Sequence, residues 1–168
     1  MTKRLILMRH AKSEWGTGAP DHARTLNPRG RRSAVGLGAF LRHNGYLPDE
    51  VLCSDAVRTR ETLAGLDLPP DTPVRYLRAL YHADVGTMLA LLRGARGDCV
   101  LMVGHNPGIA FCAHRLLTTP PDHHRFDDYP TGATLVADFD LEDWADLPIG
   151  TGTAVQFVTP RDLDAETQ

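Results

Sequence analysis

Arg4-Leu5-Ile6-Leu7-Met8-Arg9-His10 places four apolar residues in succession, then an arginine and a histidine. An unbroken apolar run of this length suits a parallel strand covered on both faces, because such a strand has no solvent side to alternate toward. The next segments of the chain support that reading. A polar loop rich in Gly, Asp and Arg spans about Ala11 to Thr25, and Asn27-Pro28 then offers a helix cap and a first helical residue. Ala34, Leu37, Phe40 and Leu41 give that helix its apolar face, and Gly45 is its stop.

The pattern repeats downstream. Val51 to Cys53 reads as a short strand, with Ser54 or Asp55 expected to cap a helix reaching about Leu66. Val74 to Leu77 reads as an edge strand, and Asp84 starts a helix with Val85, Met88, Leu89 and Leu92 inward. Cys99 to Val103 is a second strongly buried strand, which Gly104-His105-Asn106-Pro107 turns into a helix through Leu117. Thr119 to Gly132 is expected as loop, Thr134 to Phe139 and Ala154 to Val158 close the sheet, and the last residues read as a frayed polar tail. Strands alternating with helices predict an α/β chain, a three-layer α/β/α arrangement with a largely parallel central sheet, and one domain over residues 1–168. Ligands of such sheets gather beyond the carboxyl ends of the strands. Arg9-His10, Ser54-Asp55, His105-Asn106 and the loop after Leu77 all fall at strand ends.

Composition narrows the classes of function. With 42% apolar and 23% charged residues in 168, the chain can bury a full core. A net charge of −3 argues against binding nucleic acid or anionic membrane through bulk charge, while leaving room for a local basic pocket. No apolar stretch has the length of a membrane helix, and the run from Leu5 to Met8 is too short for a secretory signal, so a cytoplasmic location is expected. Cys53, Cys99 and Cys112 form neither an even disulfide set nor a metal pair, and read as buried free thiols.

At the strand ends the residue types suit phosphate chemistry. A histidine there can act as a nucleophile when one ring nitrogen is held by a hydrogen bond and the other is free. Adjacent Arg9 offers a forked donor set matched to phosphate oxygens, and Arg58 lies about one turn into its helix. His105 stands where Asn106-Pro107 opens a helix whose free amides favour an anion. Other motifs read as decoys. Asp138-Phe139-Asp140 fits polar-outward alternation on an edge strand, and Cys53 with Arg58 is one residue short of a cysteine-phosphatase loop. Adjacent His123 and His124 would normally point their rings apart, so no metal site is expected.

Leu5-Ile6-Leu7-Met8-Arg9-His10-Ala11-Lys12-Ser13 resembles the opening of the histidine phosphatase superfamily, the phosphoglycerate mutase-like group, whose signature is Arg-His-Gly after a buried strand. Ser54-Asp55-Ala56-Val57-Arg58 is similar to its second motif and Gly104-His105-Asn106-Pro107-Gly108 to its third, and Leu26-Asn27-Pro28-Arg29-Gly30 matches the start of its first long helix. Within that group the chain resembles the short SixA-type phosphohistidine phosphatases, through Arg9 to Trp15 and Leu80-Tyr81-His82-Ala83. The resemblance implies His10 as the phosphorylated nucleophile, with Arg9, Arg58 and His105 as phosphate ligands and Ser13 in support. Lys12, Asn106 and His82 join them as candidate phosphate or substrate contacts. It implies no metal and no cofactor, with a protonated His105 helping Arg9 and Arg58 to surround the phosphoryl oxygens. The implied partner is a phosphorylated protein domain, such as a histidine phosphotransfer domain in a signalling relay. A small phosphomonoester is the alternative substrate, and a non-catalytic phosphate-binding module the alternative role.

Two departures carry information. Ala11 stands where the signature has glycine, a change expected to be tolerated unless that position needs positive φ. Many relatives carry a general-acid glutamate between the second and third motifs, whereas Leu77 to His82 holds no carboxylate and the next is Asp84. An alkoxide leaving group needs a proton, while an imidazole can leave neutral if its other nitrogen is already protonated. The missing acid therefore favours a P–N substrate, with His82 or Asp84 as the candidates if an acid is used.

Overall fold

The computed structural model describes residues 1–166. Six strands, β1 (Thr2–Arg9), β2 (Glu50–Ser54), β3 (Val74–Leu77), β4 (Cys99–Gly104), β5 (Thr134–Asp140) and β6 (Thr153–Val158), form one sheet in the order β3-β2-β4-β1-β5-β6. The first four in that order run parallel, and β5 and β6 add antiparallel pairings. Five helices cover the sheet: α1 (Pro28–His43), α2 (Val57–Gly65), α3 (Val85–Arg93), α4 (Gly108–Leu116) and α5 (Pro160–Glu166).

The double-sided burial of the opening strand follows from its sequence. Leu5, Ile6, Leu7 and Met8 are all fully buried, and successive side chains serve opposite faces. Leu5 and Leu7 join Leu52, Met102, Met88 of α3 and Ile109 of α4 on one face. Ile6 and Met8 join Val51, Leu101, Leu37 of α1 and Leu63 of α2 on the other. Truncating any of the four would cost about 2–5 kcal/mol.

Local signals set most of the helix ends. Asn27 caps α1 by accepting from the Gly30 amide, Pro28 follows it, and Gly45 adopts φ 71° just past the end. Asp84 caps α3 through the Thr87 amide. The cap of α2 differs from expectation. Ala56 occupies the position without a side-chain bond, while Ser54 still belongs to β2 and turns its hydroxyl to His105, and Asp55 pairs with His22. Three further expectations are corrected. Residues 160–166 form α5 rather than a frayed tail, with residues 167–168 outside the described chain. β5 is an inner strand between β1 and β6, and its Asp138 forms a double-bonded pair with Arg4. His123 and His124 stack, with ring centroids 5.0 Å apart and planes 7° from parallel, because His123 is drawn to Asp162 and wedged edge-on against Phe157.

The packing of α1 on α2 depends on Gly38. A methyl group there would overlap the Leu66 carbonyl oxygen, so the helices would have to separate. Gly36, on the same helix, faces open space. Gly38→Ala is expected to lower unfolding stability by about 1–3 kcal/mol, while Gly36→Ala raises it by about 0.4–1 kcal/mol, both read from urea unfolding.

Candidate active site

Parallel pairing of β1 with β4 sets Arg9 opposite Gly104, so His10 and His105 leave adjacent strand ends together. The His10 amide donates to the Gly104 carbonyl at 3.1 Å, and the Gly132 amide donates to the His10 carbonyl at 2.8 Å. The two imidazoles face each other with centroids 5.3 Å apart.

The state of His10 follows from its contacts. Its Nδ1 lies 2.7 Å from the Ala11 carbonyl oxygen, which can only accept, so Nδ1 carries the hydrogen and Nε2 keeps its lone pair. Burial, reinforced by Arg9, Arg58 and Arg24, pushes the pKa down to about 3 against the opposing pull of the Ala11 carbonyl. A neutral imidazole with a free Nε2 can act as a nucleophile. Ala11 itself is fully buried, lies outside the positive-φ region and donates its amide to Thr62 Oγ1 at 3.0 Å. The methyl that replaces the signature glycine is accommodated without backbone strain.

Around His10 sit cationic and polar groups whose bonds leave donors free. Arg9 donates Nη1 to the Tyr129 carbonyl at 3.1 Å, and Arg58 donates Nη1 to the Asp21 carbonyl at 2.7 Å and Nη2 to the Asp21 carboxylate at 3.1 Å. The buried Nε atoms of both arginines and Nδ1 of His105 have no hydrogen-bond partner among the described residues. Buried polar groups are rarely left so. An oxyanion supplies the acceptors such donors require. His105 differs from expectation, since burial and the nearby His10, Arg58 and His82 push its pKa down to about 2 and keep it neutral. It still has an N–H to offer: in the tautomer where the Ser54 hydroxyl, 2.7 Å away, donates to Nε2, the hydrogen sits on Nδ1.

The remaining sequence candidates scatter. Ser13 is buried and accepts from Arg24 Nη1 at 2.7 Å, so it braces that arginine. Asn106 donates Nδ2 to the carbonyls of Asp128 and Tyr129, which ties down the loop that also holds Arg9. Lys12 is exposed and lines a separate groove with Arg29 and Arg161. Asp84 is committed to capping α3. His82 does reach the site: its ring lies 5.4 Å from that of His105, and it holds φ 53°, a strained conformation for a side-chain-bearing residue. Cys53 remains a buried thiol, its pKa raised to about 12 by burial.

One carboxylate was not legible in the sequence. Asp21, in a 3-10 turn over Asp21–Ala23, accepts from the Tyr81 hydroxyl, from Arg58 and from Arg24 Nε at 3.1 Å, and its Oδ2 lies 3.1 Å from His82 Nε2. The bonds from Tyr81, His82 and Arg58 hold it ionised, well below the usual carboxylate range. Its side chain is 44% exposed and that of His82 is 53% exposed, so the mouth of the site faces solvent. The loop from Ala11 to Thr25 has no periodicity to fix where Asp21 lies, and the Asp21-x-x-Arg24 spacing was the sole local hint.

The family model of the histidine phosphatase superfamily (branch 1) matches residues 5–92. The chain belongs to that superfamily. An uncharacterized protein of Mycobacterium tuberculosis is 38% identical over 161 residues, covering 92% of this chain and all of its own length. A Nakamurella multipartitia structure assigned to phosphohistidine phosphatase SixA superposes with a TM-score of 0.83 at 31% identity, over 95% of this chain and 97% of its own. An Agrobacterium tumefaciens structure with the same assignment gives 0.76 at 25% identity, over 94% and 98%. The mixed α/β fold is thus the superfamily's, and membership together with these phosphatase neighbours supports phosphatase chemistry.

The depressed histidines make a stability prediction. In the unfolded chain each imidazole protonates near pH 6.5, whereas His10 and His105 stay neutral in the fold down to about 3 and about 2. Above pH 6.5 both states are neutral and the effect vanishes; below it the unfolded state takes up protons the fold refuses, and stability falls. Each group contributes a slope of up to about 1.4 kcal/mol per pH unit. Urea unfolding from pH 7 to 5 should therefore lose stability more steeply for the natural chain than for His10→Ala, and equal slopes would show that His10 titrates normally.

Proposed function

We propose that this chain is a metal-independent phosphatase that takes the phosphoryl group from phosphohistidine on a protein, through a phosphorylated His10. His10 Nε2 attacks phosphorus in line, the P–N bond of the substrate breaks, and its electron pair leaves on the substrate imidazole. The free donors of Arg9, Arg58 and His105 hold the three peripheral oxygens as charge shifts. Water then attacks phosphorus, the bond to His10 Nε2 breaks and returns its electron pair to that nitrogen, and both protons of the water leave with inorganic phosphate as dihydrogen phosphate.

The observation that carries the P–N reading is the ionised Asp21 at the mouth. It has no proton to give an alkoxide and repels one electrostatically. A departing imidazole needs no such proton, and an adjacent carboxylate favours the form whose remote nitrogen carries hydrogen. The open rim suits a protein substrate, as does Trp15, three-quarters exposed with the Arg24 guanidinium 3.7 Å over its ring. A phosphorylated signalling domain is such a substrate. The Asp21–His82 contact favours one second reading, a small phosphomonoester with His82 as proton donor.

Initial rates with chelator present, on phosphoimidazole, a phosphohistidine peptide and a panel of sugar and aryl phosphates, separate the two. The proposal expects kcat/KM for the P–N substrates to exceed the esters by at least about a hundredfold, and His10→Ala to abolish turnover while remaining folded. Asp21→Asn should lower P–N turnover by about tenfold, the worth of one charged hydrogen bond, and narrow the preference. Preference for an ester, with His82→Asn selectively slowing it, would establish the second reading instead.

A further inference from the structure

Beside the catalytic cluster lies a groove of about 300 Å³ walled by Lys12, Arg29, Arg125 and Arg161, with Ser33 and Thr131 among its polar lining. None of the described residues lining it is acidic. Arg125 is paired with Asp128, whereas Lys12, Arg29 and Arg161 have no ion pair among the described residues. In a chain of net charge −3 this is a local concentration of positive charge. The start of α1 adds to it. Its first turn has no acidic residue and carries Arg29, the arrangement least favoured by the helix dipole. A face kept basic against both the net charge and the dipole is suited to an anionic partner.

The backbone ties the groove to the reaction. Lys12 is two residues past His10, within about 7 Å along an extended chain. Its carbonyl accepts the Asn27 amide at 3.0 Å, and Gly30 packs against that same carbonyl, so the first turn of α1 is fixed beside the loop that follows His10. On the other wall, Thr131 precedes Gly132, whose amide holds the His10 carbonyl. Asp162, near the start of α5, accepts from the Thr159 amide and lies 2.8 Å from His123 Nε2, and it makes no ion pair with Lys12, Arg29 or Arg161 among the described residues.

We propose that this groove is the docking subsite for an acidic segment of the phosphorylated protein, seated a few residues from the phosphohistidine presented to His10. The inference rests on the P–N reading above. Exposed charges of this kind act on encounter and orientation, so the subsite should lower KM and bring a salt dependence without altering the chemical step. A small phosphorylated molecule does not span both sites and gains nothing from it.

The test uses three phosphohistidine peptides whose flanks, three to six residues from the phosphohistidine, carry Glu, Ser or Lys, with phosphoimidazole as the small substrate. The natural chain should favour the Glu-flanked peptide over the Lys-flanked one by about tenfold or more in kcat/KM, through KM, and 0.5 M salt should erase most of the difference. Arg29→Glu with Arg161→Glu should remove or invert that preference and leave phosphoimidazole turnover within twofold. Turnover of phosphoimidazole with no dependence on the flanks overturns the docking subsite and leaves the P–N reading standing. Equal loss on phosphoimidazole and peptides in the double variant overturns it too, because the groove would then act on the catalytic cluster. Failure of the natural chain on phosphoimidazole and all three peptides removes the P–N reading and the docking subsite together.

Discussion

Parallel pairing of β1 with β4 is the constraint on which the site depends. With Arg9 opposite Gly104, the chain cannot leave one strand without placing His10 beside the residue that leaves the other, His105. The bond from the His10 amide to the Gly104 carbonyl extends that register one residue past the sheet. A shift of one residue would send Leu5 and Leu7 to the face now filled by Ile6 and Met8. Core packing therefore holds the strand ends, and the strand ends hold the chemistry.

Burial then sets the electrostatics. His10 and His105 are kept neutral by desolvation among arginines, at a cost in acid stability, and that neutrality leaves Nε2 of His10 with its lone pair. The arginines are oriented by single backbone carbonyls, Tyr129 for Arg9 and Asp21 for Arg58. Tyr129 is itself fully buried and donates its hydroxyl to the Leu7 carbonyl of β1, so the loop bearing it is anchored to the same strand as the groups it orients. Asp21 does two things at once. Its carbonyl and carboxylate fix Arg58, and the ionised carboxylate gathers Tyr81 and His82 at the mouth.

Legibility in the sequence tracked the range of the interactions. The strong strands, the Asn27 and Asp84 caps and the positions of Arg9, His10, Arg58 and His105 at strand or helix ends could be read locally, because burial periodicity and capping are local. The cap of α2 could not, since Ser54 stays in β2, where its hydroxyl meets His105, 51 residues away, and accepts from the Ala56 amide. Asp21 shows the same limit: its partners Arg58, Tyr81 and His82 lie 37 to 61 residues on, and of its contacts only that with Arg24 is local. The neutral state of His105 is not legible either, because a residue type does not reveal how deeply its ring is buried or that Arg58 lies nearby.

The most direct test of the mechanism is to trap the enzyme during turnover. Rapid acid-free quenching with phosphoimidazole, then intact-mass analysis and peptide mapping, should find one added phosphoryl group on His10 and none on the His10→Ala variant. A phosphoryl group on another residue, or turnover with no phosphorylated enzyme at any time, would contradict His10 as the nucleophile and with it the assigned roles of Arg9, Arg58 and His105.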